Sequence, residues 1–370
     1  MTTEIMSTDA AFMATALQLA RKGLLTADPN PMVGSVVVKD NQIVGRGWHR
    51  RAGGDHAEVA ALRDAGNLAN GATVYVTLEP CCHYGKTPPC TKMLIDAGVK
   101  KVVAAMRDPN PRVAGKGFRV LTNAGIETDC GVLQSCAEEL NRGFCNRMRT
   151  GKPYVFSKIA MSMDGCTAMH SGESKWITGE HARQDVQRLR AQCSAILTGI
   201  DTVLADDPAM NVRLEIPPDE FVQPLRIVLD THLRLPVDAR IGKNEGETLV
   251  ITALKDKEKY QQLEYAGYKV VCLAQGSDRR LDLSAVLEYL GKIGINELMV
   301  EAGATLNGAF LEAGCVDEWV VYQAPCVLGS GARGIVRTRG ISSLSDRYQL
   351  KLTEARSIGL DLRLRYQFGR

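Results

Sequence analysis

Thr73-Val74-Tyr75-Val76-Thr77-Leu78-Glu79-Pro80-Cys81-Cys82-His83-Tyr84-Gly85-Lys86-Thr87-Pro88-Pro89-Cys90 decides the fold of the first half of the chain. Its β-branched and aromatic start, 73–77, reads as a strand. Pro80 ends that strand at a cysteine. Pro88-Pro89 then opens a helix at Cys90, since proline suits a helix's first turn. A strand delivering one thiol and a helix opening on another imply a layered α/β arrangement. Upstream, Asp55-His56-Ala57-Glu58 opens a further helix, with Asp55 as its expected N-cap. A helix over residues 9–22 gathers Phe12, Met13, Ala16, Leu17 and Ala20 on one face. Residues 33–38 and 43–45 flank Lys39-Asp40-Asn41-Gln42 as a hairpin.

Ala-Gly punctuates the rest, at Gly66, Gly98, Gly125, Gly267 and Gly314, each after a helix-like stretch. Glycine just past a helix supplies the left-handed residue that ends it. All but the first lead into a Val-, Ile- or Trp-rich run, the grammar of an α/β fold. A helix through residues 138–148, then Thr150-Gly151-Lys152-Pro153, then a strand over 154–159 place a domain boundary between 1–150 and 151–370. Residues 215–220 read as a surface loop. Strands at 196–197, 226–229, 249–251 and 298–300 make the second domain α/β as well.

The chain has 370 residues, 45% apolar and 24% charged, which fits two globular domains. Its formal charge of +3 gives no footprint of a nucleic-acid or membrane-surface binder. The basic run 141–149 reads as a solvated helix face. No stretch is long and apolar enough to span a membrane, and the start lacks secretory features, so a cytoplasmic protein is expected. The 11 cysteines, odd and scattered, read as reduced thiols. Cys193, Cys272 and Cys326, inside apolar runs, read as small buried hydrophobes.

Zinc favours a tetrahedron of nitrogen and thiolate sulfur, and a catalytic site keeps one position for water. His56, Cys81 and Cys90 supply three ligands and leave the fourth position open. Glu58 lies beside a ligand without being needed as one, the placement a proton shuttle requires. The N-termini of the two ligand-bearing helices help hold the cysteines as thiolates. Zinc deaminases carry His-x-Glu with Pro-Cys-x-x-Cys. Here Cys82 to Pro89 intervene, and Cys82 and His83 are two further potential ligands. The alternatives are a structural zinc site, as in a nucleic-acid-binding module, or thiols without metal. Balanced charge and the lack of interleaved basic and aromatic residues count against such a module.

The segments 29–34 (Pro-Asn-Pro-Met-Val-Gly), 51–58 and 78–90 resemble the bifunctional deaminase/reductase family of riboflavin biosynthesis, in which a long insertion between the cysteines is normal. The resemblance implies a cytidine-deaminase-like three-layer domain over 1–150. It implies one zinc ion per chain and hydrolytic deamination of 2,5-diamino-6-ribosylamino-4(3H)-pyrimidinone 5′-phosphate, with Glu58 moving the protons. Asn30, His49, His83, Asp108 and Asn110 fall in matching segments and are expected to contact substrate, although Asp108-Pro109-Asn110-Pro111 is also simply a good turn.

The second half has no Gly-x-Gly-x-x-Gly between strand and helix, so a Rossmann site is unsupported. Residues 300–310 instead run from a strand into a helix, where Gly303 and the following amides could cradle a diphosphate. Residues 158–165, 171–178, 199–208 and 301–303 are similar to the reductase domain of the same family. That implies a dihydrofolate-reductase-like domain over 151–370 and NADPH-dependent reduction of the ribosyl chain to 5-amino-6-(5-phosphoribitylamino)uracil. Cofactor contacts are implied for Ala160, Trp176, Thr202, Asp206, Thr231, Gly303, Ala304, Thr305, Leu306, Asn307, Gly308 and Ala309. Lys158, Ser174, Arg190, Met210, Arg213 and Glu301 are implied for substrate, the arginines suiting a ribose phosphate. Lys158 and Asp206 are also candidates for proton handling. Read without the family, Trp176 is a core residue, Arg190 an exposed helix charge and 206–208 a helix stop. The expected partner is a small pyrimidine ribonucleotide, with no nucleic acid and no membrane, in a homo-oligomer. A nucleic-acid base deaminase is the rival enzyme, and the reductase-like segments count against it.

Overall fold

In the computed structural model, which describes residues 8–84, 88–111, 113–276 and 278–369, the chain divides into two units, Met1–Gly151 and Lys152–Arg370. The first unit contains α1 (Thr8–Ala20), β1 (Gly34–Lys39), β2 (Gln42–Trp48), α2 (Ala57–Ala65), β3 (Thr73–Val76) and α3 (Cys90–Asp96). It continues with β4 (Lys101–Ala104), α4 (Lys116–Asn123), β5 (Glu127–Cys130), α5 (Gln134–Leu140) and α6 (Arg142–Thr150). The sheet order is β2-β1-β3-β4-β5; β1 runs antiparallel to both neighbours, and β3, β4 and β5 run parallel.

Strand alternation divides the core into two layers. Val36 and Val38 point to α1, α5 and α6, meeting Met13, Ala16, Ala137 and Phe144. Val37, Val74 and Val102 point the other way, to Ala61, Leu94 and Leu121 of α2, α3 and α4. The β1–β2 hairpin turns on Asp40 and Asn41, both left-handed (φ 48° and 61°), the backbone that suits the right-handed twist of paired strands. α2 approaches β2 closely because Gly45 and Gly47 lack side chains. A Cβ on Gly47 would stand 2.2 Å from the Ala57 carbonyl oxygen. That contact seats the N-terminus of α2, and with it His56 and Glu58.

Several boundaries differ from the sequence reading. The first helix ends at Ala20 and tightens into a 3₁₀ turn over Arg21–Gly23. The N-cap of α2 is His56, not Asp55, whose carboxylate is drawn outward to Arg63 at 2.8 Å. The helix expected over 138–148 is two helices, broken at Asn141. The buried Asn141 amide binds Met32 instead, accepting from its N–H (2.7 Å) and donating to its carbonyl (2.9 Å). The basic run is not a solvated face: Phe144 and Cys145 of α6 are buried, and the Arg142 side chain is only 16% exposed. Amphipathic packing, not charge, decides where α6 lies.

The second unit holds β6 (Tyr154–Met161), β7 (Cys166–Ala168), α7 (Glu180–Ala191), β8 (Ala195–Gly199), α8 (Ile200–Asp206) and β9 (Leu225–Leu229). Next come α9 (Arg240–Lys243), β10 (Thr248–Thr252), α10 (Lys257–Tyr265), β11 (Lys269–Cys272), α11 (Leu283–Lys292) and β12 (Glu297–Val300). It ends with α12 (Ala304–Glu312), β13 (Glu318–Gln323), β14 (Arg333–Gly334), β15 (Leu350–Ile358) and β16 (Asp361–Phe368). The nine-stranded sheet, β11-β10-β9-β8-β12-β6-β13-β16-β15, is parallel from β11 to β13 and antiparallel thereafter. One face packs on α11 and α12 through Leu287, Leu290 and Phe310. The other packs on α7, α8 and α10 through Val186, Val203 and Leu263.

Candidate active sites

In the first unit the end of β3, the start of α3 and the start of α2 converge. His56 Nδ1 stands 3.1 Å from Cys90 Sγ and 3.5 Å from Cys81 Sγ. The three ligand atoms lie within 4.8 Å of one another. A tetrahedral zinc with ordinary bond lengths needs N···S edges of roughly 3.5 Å, so the donor set and spacing fit the ion. Among the described residues this is the cluster with metal-ligand geometry; Cys82 and His83 are outside it. The Cys90 thiol and His56 hold the Cys81 sulfur down to about 4, towards the thiolate. The backbone N–H of Cys90, opening α3, also donates to Cys81 Sγ at 3.3 Å.

Glu58, in the first turn of α2, is 4% exposed, and burial pushes its carboxyl up. It lies against Cys90 without belonging to the ligand cluster. Asn30 and His49 come together: Asn30 Nδ2 lies 3.0 Å from His49 Nε2, and His49 Nδ1 lies 2.9 Å from the Asp55 carbonyl oxygen. The carbonyl requires a proton on Nδ1, so Nε2 accepts from the Asn30 amide and the ring is neutral, as burial also favours. His49, a candidate substrate contact, is 3% exposed with both ring nitrogens engaged. Asp108 is buried, and burial pushes its carboxyl up to about 6 against the pull of the Asn110 N–H, which it accepts at 2.8 Å. The Asp108–Asn110 segment is thus a turn as well as a candidate contact. His83 is exposed.

In the second unit Ala160, Thr202, Thr231, Glu301 and Gly303 lie at or just past the carboxyl ends of β6, β8, β9 and β12, adjacent parallel strands, and Asp206 is the last residue of α8, which follows β8. That edge is where open α/β sheets receive ligands. Glu301 is the centre of a partly buried ion cluster, its side chain 13% exposed. Arg190 forks onto it, Nε to Oε1 at 2.5 Å and Nη2 to Oε2 at 2.9 Å, and Lys158 Nζ stands 3.9 Å from Oε2. Burial alone would raise the Glu301 pKa, but Arg190 and Lys158 overcome it and hold it at about 2. Lys158 is the spare cation, and burial pushes its pKa down despite Glu301. Arg190 is therefore no exposed helix charge: α7 turns it inward, and it also donates to the Asn211 carbonyl at 3.1 Å. Arg213 donates to the Asn211 side chain at 2.9 Å, at the border of the same cluster.

Gly303 caps α12 at φ −76°, and a Cβ there would meet nothing within 4 Å. Neither strain nor crowding demands glycine at that point, which leaves space for a group at the helix N-terminus. Asn307, 2% exposed, donates to the Ala302 carbonyl at 3.1 Å, while its Oδ1 has no partner among the described residues. Gly308 has a different reason for being glycine: a Cβ would stand 2.0 Å from the Arg337 carbonyl oxygen. Leu306 packs against the core, and Ala304, Thr305 and Ala309 are partly or fully exposed along α12. Met210 is 3% exposed, in the core beside Ile196 and Val228. Trp176 is not core either: it is 71% exposed, with the Arg183 guanidinium 4.6 Å above its ring. Asp206 pairs with Lys175 at 3.4 Å, and Ser174 beside it is partly exposed. Sequence reasoning missed Asp164. It accepts from the Ser162 hydroxyl (2.5 Å) and the Gly329 amide (2.8 Å), fixing the 328–329 loop, and these donors hold it at about 2.

Comparison with known proteins gives both halves a counterpart. Residues 6–106 match the cytidine and deoxycytidylate deaminase zinc-binding region, and 153–364 match the RibD C-terminal domain. The chain is 50% identical over 363 residues to riboflavin biosynthesis protein RibD of Escherichia coli K12, covering 96% of this chain and 98% of that one. The RibD structure from Acinetobacter baumannii superposes with a TM-score of 0.92 at 46% identity, covering 98% and 99%. A diaminohydroxyphosphoribosylaminopyrimidine deaminase/5-amino-6-(5-phosphoribosylamino)uracil reductase from Thermotoga maritima superposes at 0.86 with 33% identity, covering 98% and 99%.

Proposed function

The chain belongs to the RibD family, the bifunctional deaminase/reductases of riboflavin biosynthesis, and from that premise we propose which residues carry each step. A cytidine-deaminase-like domain is followed by a dihydrofolate-reductase-like one. In our reading residues 1–150 deaminate the diaminopyrimidine ribonucleotide that the Thermotoga relative's name specifies, and residues 151–370 reduce the ribosyl chain of the resulting uracil nucleotide with NADPH.

The observation that carries the first half is the His56–Cys81–Cys90 cluster with the buried Glu58 beside it. One zinc ion held there supplies a Lewis acid that makes water nucleophilic near neutral pH. Glu58 takes the proton of the attacking water and returns protons to the ring nitrogen and the departing ammonia. The raised pKa that burial gives its carboxyl suits that two-way traffic. Asn30, oriented by His49, and the Asp108–Asn110 turn bind the pyrimidine, with His83 at the exposed rim.

For the second half, Gly303 and the first amides of α12 receive the cofactor's diphosphate, supported by the open space at Gly303. Ala160, Thr202, Asp206, Thr231 and the exposed Trp176 line the rest of its path. NADPH supplies the hydride. Glu301 and Arg190 hold the sugar and its phosphate with Arg213 and Ser174, and Lys158, with its lowered pKa, delivers the accompanying proton. A homo-oligomer is supported by the open edge strand β15 and by the exposed Leu352, Leu360 and Leu362 beside it.

Metal analysis tests the zinc assignment. The purified chain is expected to hold one zinc ion, and Cys90→Ser to lose it together with ammonia release. Full zinc in Cys90→Ser would move the site elsewhere.

A further inference from the structure

Glu79 is 2% exposed, is a carboxylate, and pairs with no cation among the described residues. Three backbone amides answer it instead. Oε2 accepts from Asp108 N–H (3.2 Å) and Gly115 N–H (2.9 Å), and Oε1 accepts from Gly117 N–H (2.9 Å). Its own N–H donates to the Met106 carbonyl at 3.0 Å. These bonds tie the end of β3, two residues before Cys81, to the end of β4 and the start of α4. Gly117 closes the junction from the other side: a Cβ there would stand 2.2 Å from the Pro80 carbonyl oxygen and 3.1 Å from Glu79 Oε1. An apolar side chain would fill this space without the cost of burying a charge. What it could not do is fix the direction of three N–H groups at once.

We propose that Glu79 is a positioning residue of the deaminase: its carboxylate locks the Asp108–Asn110 segment in register with the Cys81 end of the metal cluster. Asp108 carries the argument, because its N–H is held by Glu79 while its carboxylate shapes the turn to Asn110. The inference rests on the reading that Asp108 and Asn110 contact the pyrimidine. Glu79 itself touches neither substrate nor metal.

Glu79→Gln keeps the shape but offers one acceptor oxygen where two are used, so at least one amide loses its partner. Losing a charge-assisted hydrogen bond from that register is expected to raise the deaminase KM about tenfold or more while kcat changes little. Zinc content should stay at one ion per chain, reductase turnover should be unchanged, and backbone hydrogen exchange across 107–118 should accelerate. Glu79→Asp, which keeps the charge but draws the carboxylate back from the three amides, should give the same KM rise and serves if Glu79→Gln does not fold. An unchanged KM in the folded variants, or a fall in kcat that tracks zinc loss at constant KM, overturns the proposal. Asp108→Asn, run in parallel, separates the two claims. If it leaves KM unchanged, the substrate reading fails. If it raises KM and neither Glu79→Gln nor Glu79→Asp does, the positioning role fails.

Discussion

Glu301 is ionised inside the reductase unit because Arg190 and Lys158 face it, and this has a measurable cost in acid. A carboxylate whose folded pKa is depressed contributes stability above its unfolded pKa of 4.5 and loses it as pH falls towards about 2. At about 1.4 kcal/mol per pH unit that contribution is roughly 3 kcal/mol. Acid unfolding of the reductase unit should therefore steepen below pH of about 4.5. Glu301→Gln should remove that dependence and, by leaving the partly buried Arg190 and Lys158 without their carboxylate, destabilise the unit at neutral pH by about 1–3 kcal/mol. Chemical denaturation across pH checks both. At this scale the sequence was most legible where residue type and spacing are dictated by chemistry, as at His56, Glu58, Cys81 and Cys90. Arg190 and Trp176 were misread without the family, since helix periodicity and hydrophobicity do not reveal an inward ion pair or an exposed ring. Glu79 and Asn141 gave no signal, because a carboxylate or amide that binds backbone looks like any polar residue until the fold is known.

Between residues and domains, close approach of elements sets the sites. α2 rests on β2 through Gly45 and Gly47, so Gly47→Ala must push back the helix that carries His56 and Glu58. Overpacking of this kind costs about 1–3 kcal/mol. The expected result is weaker zinc retention and slower deamination with reductase kinetics unchanged, read by metal analysis after dialysis and by the two separate assays. Asn141→Ala should lower the melting temperature of the first unit, as two bonds to Met32 and a buried amide are lost, at about 2 kcal/mol. The hairpin turn at Asp40-Asn41 and the Ala-Gly helix ends were legible, because left-handed backbone restricts the residues that can occupy it; Gly98 has φ 65° and Gly125 φ 82°. The break at Asn141 was not, since it is imposed by a partner more than a hundred residues away.

Over the whole chain, each unit has its own sheet and its own apolar layers. Among the described residues no helix is long and apolar enough to cross a membrane. The family and the order of the domains were legible because both halves carry motifs. The proposed reductase site was legible only through resemblance, because the candidate residues sit near the ends of four strands spread across 160–303, with no continuous signature. Chelating zinc should abolish deamination and spare reduction of supplied uracil nucleotide, and a calorimetric scan should shift the transition of the first unit. The most direct test of two independent sites is NADPH oxidation by Glu58→Ala, followed with each substrate in turn. No oxidation is expected from the diaminopyrimidine nucleotide, because deamination should fall by about 10²–10⁴-fold, and a wild-type rate is expected from the deaminated nucleotide. Loss of both rates in a folded, zinc-loaded variant would contradict it.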